Sequence, residues 1–421
     1  MGELTEDLLS EEIRAARETV IRFMRNEVVP VMDRYEERKE FPFDLVRQAG
    51  ELGLYGAIFP EWAGGTDMGY LAAAVVCEQI ARHDARFASS TNQQGGTCPC
   101  CIFAAGADEQ VLKYVPNLLA GKTIGMMSLT EPGGGSDPVG NMKTTARRDG
   151  NVYRLNGSKM FATLANVTDV GVLFAKTDPG AGAKGVTAFI VEPKKYPGFE
   201  ARPIRMLGLS QALDSCAIFL DDFVVPVENR LGAEGEGFSI VMQALQGGRI
   251  NVAARAVGLA QACLDEALRY LNERELRGRP IGTFQMIQAD LAEMVANIEA
   301  SRLLVYRAAA LMDAGRPSNR IASIAKFHAS LTAKHAADKT QQFFGGYGLA
   351  QESRISWLNS YAYLYFNGEG STNVQRVLIA EDALGYKNAD RHAGKLRFRD
   401  PRCAPAPGLN SAREGRVEEG K

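Results

Sequence analysis

Residues 144–163, TTARRDGNVYRLNGSKMFAT, decide the fold. Thr144 to Arg148, Val152 to Leu155 and Met160 to Thr163 carry the alternation and β-branched or aromatic content of short strands. Asp149-Gly150 and Asn156-Gly157 between them are the dipeptides that favour two-residue hairpin turns. The reading is a strand-turn-strand-turn-strand meander. Further strands are expected at Val170 to Lys176, Val186 to Val191 and Cys216 to Val225, with the Pro/Gly-rich loop Asp178 to Gly185 between the first two.

On either side of this island the period changes to that of helices. Upstream, Ile13, Ala16, Val20, Phe23, Met24, Val28 and Val31 recur at helical spacing, and Pro30 predicts a kink or an end near the last turn. Leu71 to Ile80 and Val111 to Leu119 read as amphipathic helices. Downstream of Gly237, Val257, Ala260, Leu264, Ala267, Leu268 and Leu271 share one face, and long helices are expected to run to about Leu384. The expected domains are therefore 1–126 helical, 127–237 antiparallel β, 238–385 a helical bundle, and 386–421 a tail of low periodicity that could dock on a neighbouring subunit. No strand, glycine loop and helix repeat in the order of a dinucleotide-binding fold.

Composition narrows the function. The 421 residues are 46% hydrophobic and 23% charged, with a formal net charge of −2, which gives no electrostatic footprint for a nucleic acid or an anionic membrane. An N-terminus that opens acidic, seven cysteines and no run of about 20 apolar residues predict a cytoplasmic protein with reduced thiols and no membrane insertion. Cys98, Cys100 and Cys101 lack a second Cys/His pair, and the four histidines lack ligand spacing, so no metal site is expected.

The chemistry concentrates in two glycine-rich stretches. Ser128-Leu-Thr-Glu-Pro-Gly-Gly-Gly-Ser-Asp137 offers hydroxyls and exposed backbone N–H groups at one loop; taken alone it is equally a turn leading into a strand. Glu369-Gly-Ser-Thr-Asn-Val-Gln-Arg376 sets one carboxylate between Gly368 and Gly370, which alone reads as a turn.

Together these stretches resemble the acyl-CoA dehydrogenase family. SLTEPGGGSD is similar to its T-E-P-x-x-G-S-D signature, Asn156-Gly-Ser-Lys-Met-Phe-Ala-Thr163 to N-G-x-K-x-W-I-T, and Gly235-Glu-Gly-Phe238 to G-x-G-F. Arg274 to Pro280 resembles R-x-x-F-G-x-P, Phe344-Gly-Gly-Tyr-Gly348 a glycine turn, and the stretch from Glu369 the closing E-G-T-x-x-I-Q-R. The motifs keep order and spacing over about nine tenths of the chain.

The resemblance implies an N-terminal helical domain, a central antiparallel β domain and a C-terminal four-helix bundle, assembled as a homotetramer. It also implies FAD as cofactor, an acyl-CoA substrate, and an electron-transfer flavoprotein or similar acceptor. By resemblance Glu369 is the base that removes the α-proton of the CoA thioester while the β-hydrogen leaves to flavin N5. Thr130 and Thr163 would bond the flavin, Phe161 would cover it, and Ser136 would meet cofactor or CoA phosphates. Arg274, Gln285, Gln342 and Gly346 would reach FAD across a subunit interface, and Ser371 and Asn373 would lie along its adenosine half. Asn92, Arg249, Gly368 and Gly370, with Ser136, would bind substrate. Some relatives carry the base at a position matching Gly248, which cannot titrate.

Departures from the family pattern shape the expected substrate. Gly368 stands where relatives have an aromatic residue, Ser360-Tyr361 where they have Arg-Asp, Arg277 for Phe, and Leu164 for Asn. The stretch from Ser89 to Cys101, which lines the family's acyl pocket, is polar here and predicts a short, branched, cyclic or polar acyl group. The arginine that holds a distal carboxylate in relatives acting on glutaryl-CoA matches Ala88, with Arg86 nearby. An acyl-CoA oxidase, an enoyl-CoA reductase, a nitroalkane oxidase and a flavin-free non-enzymatic relative are the alternatives on the same fold.

Overall fold

The computed structural model describes residues 6–387 together with 399 and 406. The N-terminal part is helical: α1 (Glu11–Phe23), α2 (Val29–Arg38), α3 (Phe43–Glu51), α4 (Gly69–His83), α5 (Ser89–Gln94), α6 (Thr97–Ala105) and α7 (Asp108–Leu119). Ser10 caps α1, its hydroxyl accepting from Ile13 N at 3.3 Å, and Glu11 and Glu12 complement the positive helix end. The chain stays helical through Pro30, but the helix type changes just before it. One π turn, Met24–Val28, absorbs the missing N–H, so that Pro30 falls in the first turn of α2 where no donor is needed.

The middle of the chain forms β1 (Gly125–Ser128), β2 (Thr145–Asp149), β3 (Val152–Thr163), β4 (Val170–Lys176), β5 (Val186–Val191), β6 (Phe199–Pro203), β7 (Ser215–Pro226) and β8 (Arg230–Leu231). They make one sheet in the order β6-β7-β3-β2-β4-β5-β8, with β1 added to β4. Two expectations fail here. The stretch 144–163 holds two strands, not three: Asp149-Gly150 turns the chain, but Asn156-Gly157 is a bulge inside a continuous β3. The amide of Asn156 is taken up across the sheet, donating to Asp222 Oδ1 at 2.8 Å and accepting from Asp222 N at 2.9 Å, which holds the strand straight. Gly157 at φ +146° fills the bulge, and a Cβ there would lie 2.6 Å from Thr144 Oγ1. The sheet is also mixed, since β4 pairs parallel with both β1 and β2 and antiparallel with β5.

The C-terminal part holds α8 (Gly237–Glu273), α9 (Gln285–Asp313), α10 (Asn319–Phe344), α11 (Arg354–Asn367) and α12 (Thr372–Ala383). α8 runs through the centre, and close approach to α4 demands Gly258, where a Cβ would stand 2.1 Å from Glu78 O. Beside that contact Arg302 of α9, fully buried, bonds Glu78 Oε1 at 2.8 Å and Gln261 Oε1 at 2.9 Å, and Tyr306 donates to Glu78 Oε2 at 3.1 Å. This satisfied buried network fixes α4, α8 and α9 in one register and so places the residues that follow. Most of the stretch 386–421, with the docking expected of it, lies outside the described residues; of those described, Arg399 pairs with Asp108 at 2.5 Å and bonds Ala104 O through its backbone N at 3.0 Å.

Candidate active site

Glu369 occupies the turn between α11 and α12 and has a left-handed backbone, φ +52°, followed by Gly370 at φ +85°. A side chain in that region is uncommon and costs on the order of 1 kcal/mol. The surroundings hold it there. Gln375 Nε2 donates to Gly370 O at 3.0 Å, and Thr372 Oγ1 and Lys326 Nζ both donate to Phe366 O, at 2.8 and 3.3 Å.

The Glu369 carboxylate turns inward. Asn92 of α5 donates to its Oε1 at 2.5 Å, while Oε2 is buried with no hydrogen-bond partner. Gly248 of α8 makes the space, because a Cβ there would lie 2.4 Å from Oε2. Burial pushes the Glu369 pKa up; the charge of Arg255, the Asn92 bond and the charges of Lys326 and Arg249 oppose it, and burial wins. Arg249 is buried and donates to Asn319 Oδ1 at 3.2 Å. Glu369, Asn92, Arg249, Gly368 and Gly370 thus come together at one place.

The polar stretch Ser89 to Cys101 forms α5 and the start of α6, and most of its polarity is consumed by structure. Gln93 and Gln94 accept from Met127 N and Gly125 N at 3.0 and 2.8 Å, stitching α5 to β1, and Ser90 meets Tyr55 Oη at 3.0 Å. Beside Glu369 remains a cavity of about 30 Å³ bordered by Gly95, Gly96, Cys100, Gly248, Asn251 and Cys77, among others. Arg86 is not available to it. The guanidinium is paired with Asp84 at 2.6 Å and Asp33 at 2.8 Å and stacks on Trp357 at 4.7 Å. Tyr361, at the family's Arg-Asp position, accepts from Ser210 N at 3.0 Å and ties α11 to the sheet domain.

A second group of the expected residues lies on the sheet domain. Glu131, in the loop after β1, accepts from Lys143 N at 2.6 Å, Thr144 N at 3.1 Å and the fully buried Lys159 Nζ at 2.8 Å. Lys159 also reaches Leu129 O at 3.3 Å, and Met160 N donates to Thr130 O at 2.8 Å, so this clamp holds Thr130 beside β3. Phe161 stands 55% exposed at φ +58°, where β3 and β7 lose register. Thr163 follows at Ser215, Ser136 is exposed, and Ser128 Oγ is buried without a partner.

The third group sits at the far end of the bundle. Arg274 and Gly346 line a cavity of about 600 Å³ with Tyr270, Phe343, Phe344 and Tyr347. Tyr270 and Phe344 stack at 4.0 Å in its wall. Gln285 and Gln342 are exposed on α9 and α10, outside that wall. Ser371 and Asn373 belong instead with the first group, just after Glu369: Ser371 caps α12, accepting from Val374 N at 3.3 Å, and Asn373 accepts from Arg376 at 2.9 Å. Within one chain, therefore, the three groups do not share a single pocket. The cysteines named above pack as thiols: Cys98 and Cys101 are buried and Cys100 partly so, all unbridged, and burial pushes Cys100 up to about 12.

Three charged residues of the site escaped the sequence reading. Arg255 and Lys326 face Glu369, and Lys159 holds the loop of Thr130. Arg255 had a signal, since it interrupts the apolar run Val252-Ala-Ala-Arg-Ala-Val257 on an otherwise buried helix. Lys159 had one as well, since it stands at the Lys of the N-G-x-K resemblance, whereas Lys326 had none, because a surface lysine at that spacing looks the same.

Residues 10–122 match the N-terminal domain of acyl-CoA dehydrogenase, 126–223 its middle domain and 235–384 its C-terminal domain. The chain belongs to the acyl-CoA dehydrogenase family, oxidoreductases acting on CH–CH bonds. It is 39% identical to glutaryl-CoA dehydrogenase of Desulfococcus multivorans, over 91% of this chain and 99% of that one. It is 40% identical to an acyl-CoA dehydrogenase of Bacillus subtilis (strain 168), over 88% and 97%. Among solved structures, a glutaryl-CoA dehydrogenase holding glutaryl-CoA superposes with a TM-score of 0.88 at 38% identity, covering 91% of this chain and 98% of that one. An acyl-CoA dehydrogenase of Bacillus anthracis complexed with FAD gives 0.83 at 30% identity, over 91% and 69%. No helix among the described residues is long and apolar enough to cross a membrane.

Proposed function

We propose that this chain oxidises a short acyl-CoA to its 2,3-enoyl-CoA, with Glu369 as the base. The observation that carries the proposal is the bare Oε2: a buried carboxylate oxygen with no donor, in the space left by Gly248. An α C–H beside a thioester is a weak acid, so its base must be poorly solvated and its pKa raised, which burial of Glu369 provides. Asn92 orients the carboxylate through Oε1 and leaves Oε2 for the proton. The enolate oxygen that develops needs donors, and the Glu369 backbone N–H, unused among the described residues, is one.

FAD fits the sheet-domain group, where the glycine-rich loop, the orphaned Ser128 hydroxyl and the outward Phe161 offer polar atoms and a flat apolar face. Bound there, it supplies the acceptor for the hydride leaving the β-carbon. Thr130 and Thr163 would bond its ring, Phe161 would cover it, and Ser136 would meet phosphate. Arg274 and Gly346, with Gln285 and Gln342, fit the FAD of a neighbouring subunit, because a guanidinium fork in a stacked aromatic cavity suits a pyrophosphate and an adenine. Ser371 and Asn373 would lie along its adenosine half. Arg249, Gly368 and Gly370 complete the substrate side. A homotetramer and an electron-transfer flavoprotein as acceptor belong to the same proposal; a relative 36% identical over 88% of this chain is the CarC subunit of the caffeyl-CoA reductase-Etf complex of Acetobacterium woodii.

The test is anaerobic flavin bleaching by acyl-CoA. Glu369→Gln is expected to keep FAD and bind CoA esters while bleaching about 10²–10⁴-fold more slowly, the span of general-base catalysis. Bleaching at the wild-type rate removes Glu369 from the role.

A further inference from the structure

The cavity bordered by Gly248 lies between the first two turns of α4 and a pair of glycines on α8. Tyr70, Ala73, Ala74 and Cys77 fall at helical spacing on α4 and all border it, so this wall carries one bulky ring and three small side chains. Gly248 gives room to Glu369 Oε2, and Gly247 gives room to the Tyr70 ring, whose Cε1 would stand 3.0 Å from a Cβ placed there. Glu369 and Tyr70 thus sit against consecutive residues of one helix. At the other side of the cavity Asn251 Nδ2 meets Cys77 Sγ at 3.2 Å.

The position of the ring is fixed from several sides. Asp313, at the end of α9, accepts from Tyr70 N at 2.6 Å and from Leu71 N at 3.0 Å, capping α4 where the positive helix end favours a carboxylate. Gly69 makes the cap possible: it takes φ +89°, and a Cβ there would lie 2.7 Å from Asp313 Oδ1. The helix is also tied further along, since Arg82 pairs with Asp265 of α8 at 2.7 Å and Gly258 packs against its backbone. We propose that Tyr70 sets the acyl chain length. Its ring closes the end of the pocket, so that the cavity of about 30 Å³ takes the end of a short chain and no more, and Asp313 is the positioning residue that keeps it there. The proposal rests on the reading of Glu369 as the acyl-CoA base. A longer tail would have to displace a ring that is 8% exposed and seated on Gly247, on a helix tied at both ends, and a close-packed interior yields only partly. The block is one of volume, so the ring carries it and the hydroxyl does not.

The experiment is anaerobic flavin bleaching of the holoenzyme by butyryl-CoA and by octanoyl-CoA, read as the ratio of their kcat/KM values. The wild type is expected to favour butyryl-CoA at least about a hundredfold, since one methylene that a pocket cannot house costs about ten- to two-hundredfold. Tyr70→Ala is expected to lower the ratio about ten- to hundredfold by speeding octanoyl-CoA. Tyr70→Leu, which keeps more of the volume filled, lowers it less and serves if Tyr70→Ala fails to fold. Tyr70→Phe is expected to leave the ratio unchanged. Asp313→Asn should lower it through the KM for octanoyl-CoA, with kcat for butyryl-CoA unchanged, which a general loss of stability would not produce. A wild type that prefers octanoyl-CoA, a ratio unmoved in Tyr70→Ala and Tyr70→Leu, or a ratio moved by Cys77→Ala in place of the Tyr70 variants, overturns the proposal alone. If neither ester bleaches the flavin of the wild type, the reading of Glu369 falls and the proposal falls with it.

Discussion

Two carboxylates of this chain sit among buried cations, and they are built in opposite ways. Glu131 has both oxygens engaged, Oε1 by Lys159 and Thr144 N and Oε2 by Lys143 N. Burial raises its pKa, but the Lys159 charge and those bonds outweigh burial and hold the carboxyl below the ordinary value. Glu369 has one bond, from Asn92, and one bare oxygen, and its pKa is raised although three cations surround it. A saturated carboxylate fixes a loop; a carboxylate left half-made is held ready for a proton.

The contrast can be broken from the saturated side with the largest effect. Glu131→Gln leaves the Lys159 ammonium buried and unpaired, which is expected to cost about 3–5 kcal/mol in a chemical or thermal melt. Loss of FAD should accompany it, because the loop of Thr130 is released. Lys159 is already lowered to about 8 by burial against the pull of Glu131, and without that partner it deprotonates more readily. Part of the lost stability should therefore return as pH rises. In the wild type the lowered pKa of Glu131 makes the pair's stabilisation complete above the ordinary glutamate range and lost as pH falls through the folded value.

On the other side, Gly248→Ala puts a methyl 2.4 Å from Glu369 Oε2 and must displace it. Bleaching is expected to slow about tenfold to hundredfold with little change in melting temperature, since a misplacement near 1 Å costs on that order. Smaller is the effect of charge. The groups acting on Glu369 are Arg249 and Arg255 of α8, Lys326 of α10 and Asn92 of α5, with the neutral thiols of Cys100 and Cys101 nearby on α6. Lys326→Met removes a cation, disfavours the carboxylate, and should move the acid limb of the rate profile to higher pH. An unmoved limb would mean that Lys326 only bonds Phe366 O.

The helix, sheet, helix order was legible because periodicity is a local property, and the glycine turns carried the site because their chemistry is local too. What escaped were pairings across space. Asn156-Gly157 looked like a hairpin until Asp222, distant in sequence, took up the amide. The polar run from Ser89 looked like a pocket wall, and Gln93 and Gln94 spend that polarity on the backbone of β1. Asn92 and Arg249 were legible only through resemblance, and Lys326 not at all, since nothing local separates a buried lysine from a solvated one.

The central claim is that Glu369 acts as a base whose pKa burial has raised. The most direct measurement is the pH dependence of single-turnover flavin bleaching, wild type against Glu369→Gln. The account predicts a wild-type acid limb above the ordinary glutamate value of about 4.3, with the rate lost as pH falls through it, and no such limb in the residual rate of Glu369→Gln. A limb of the same position in both proteins would contradict it.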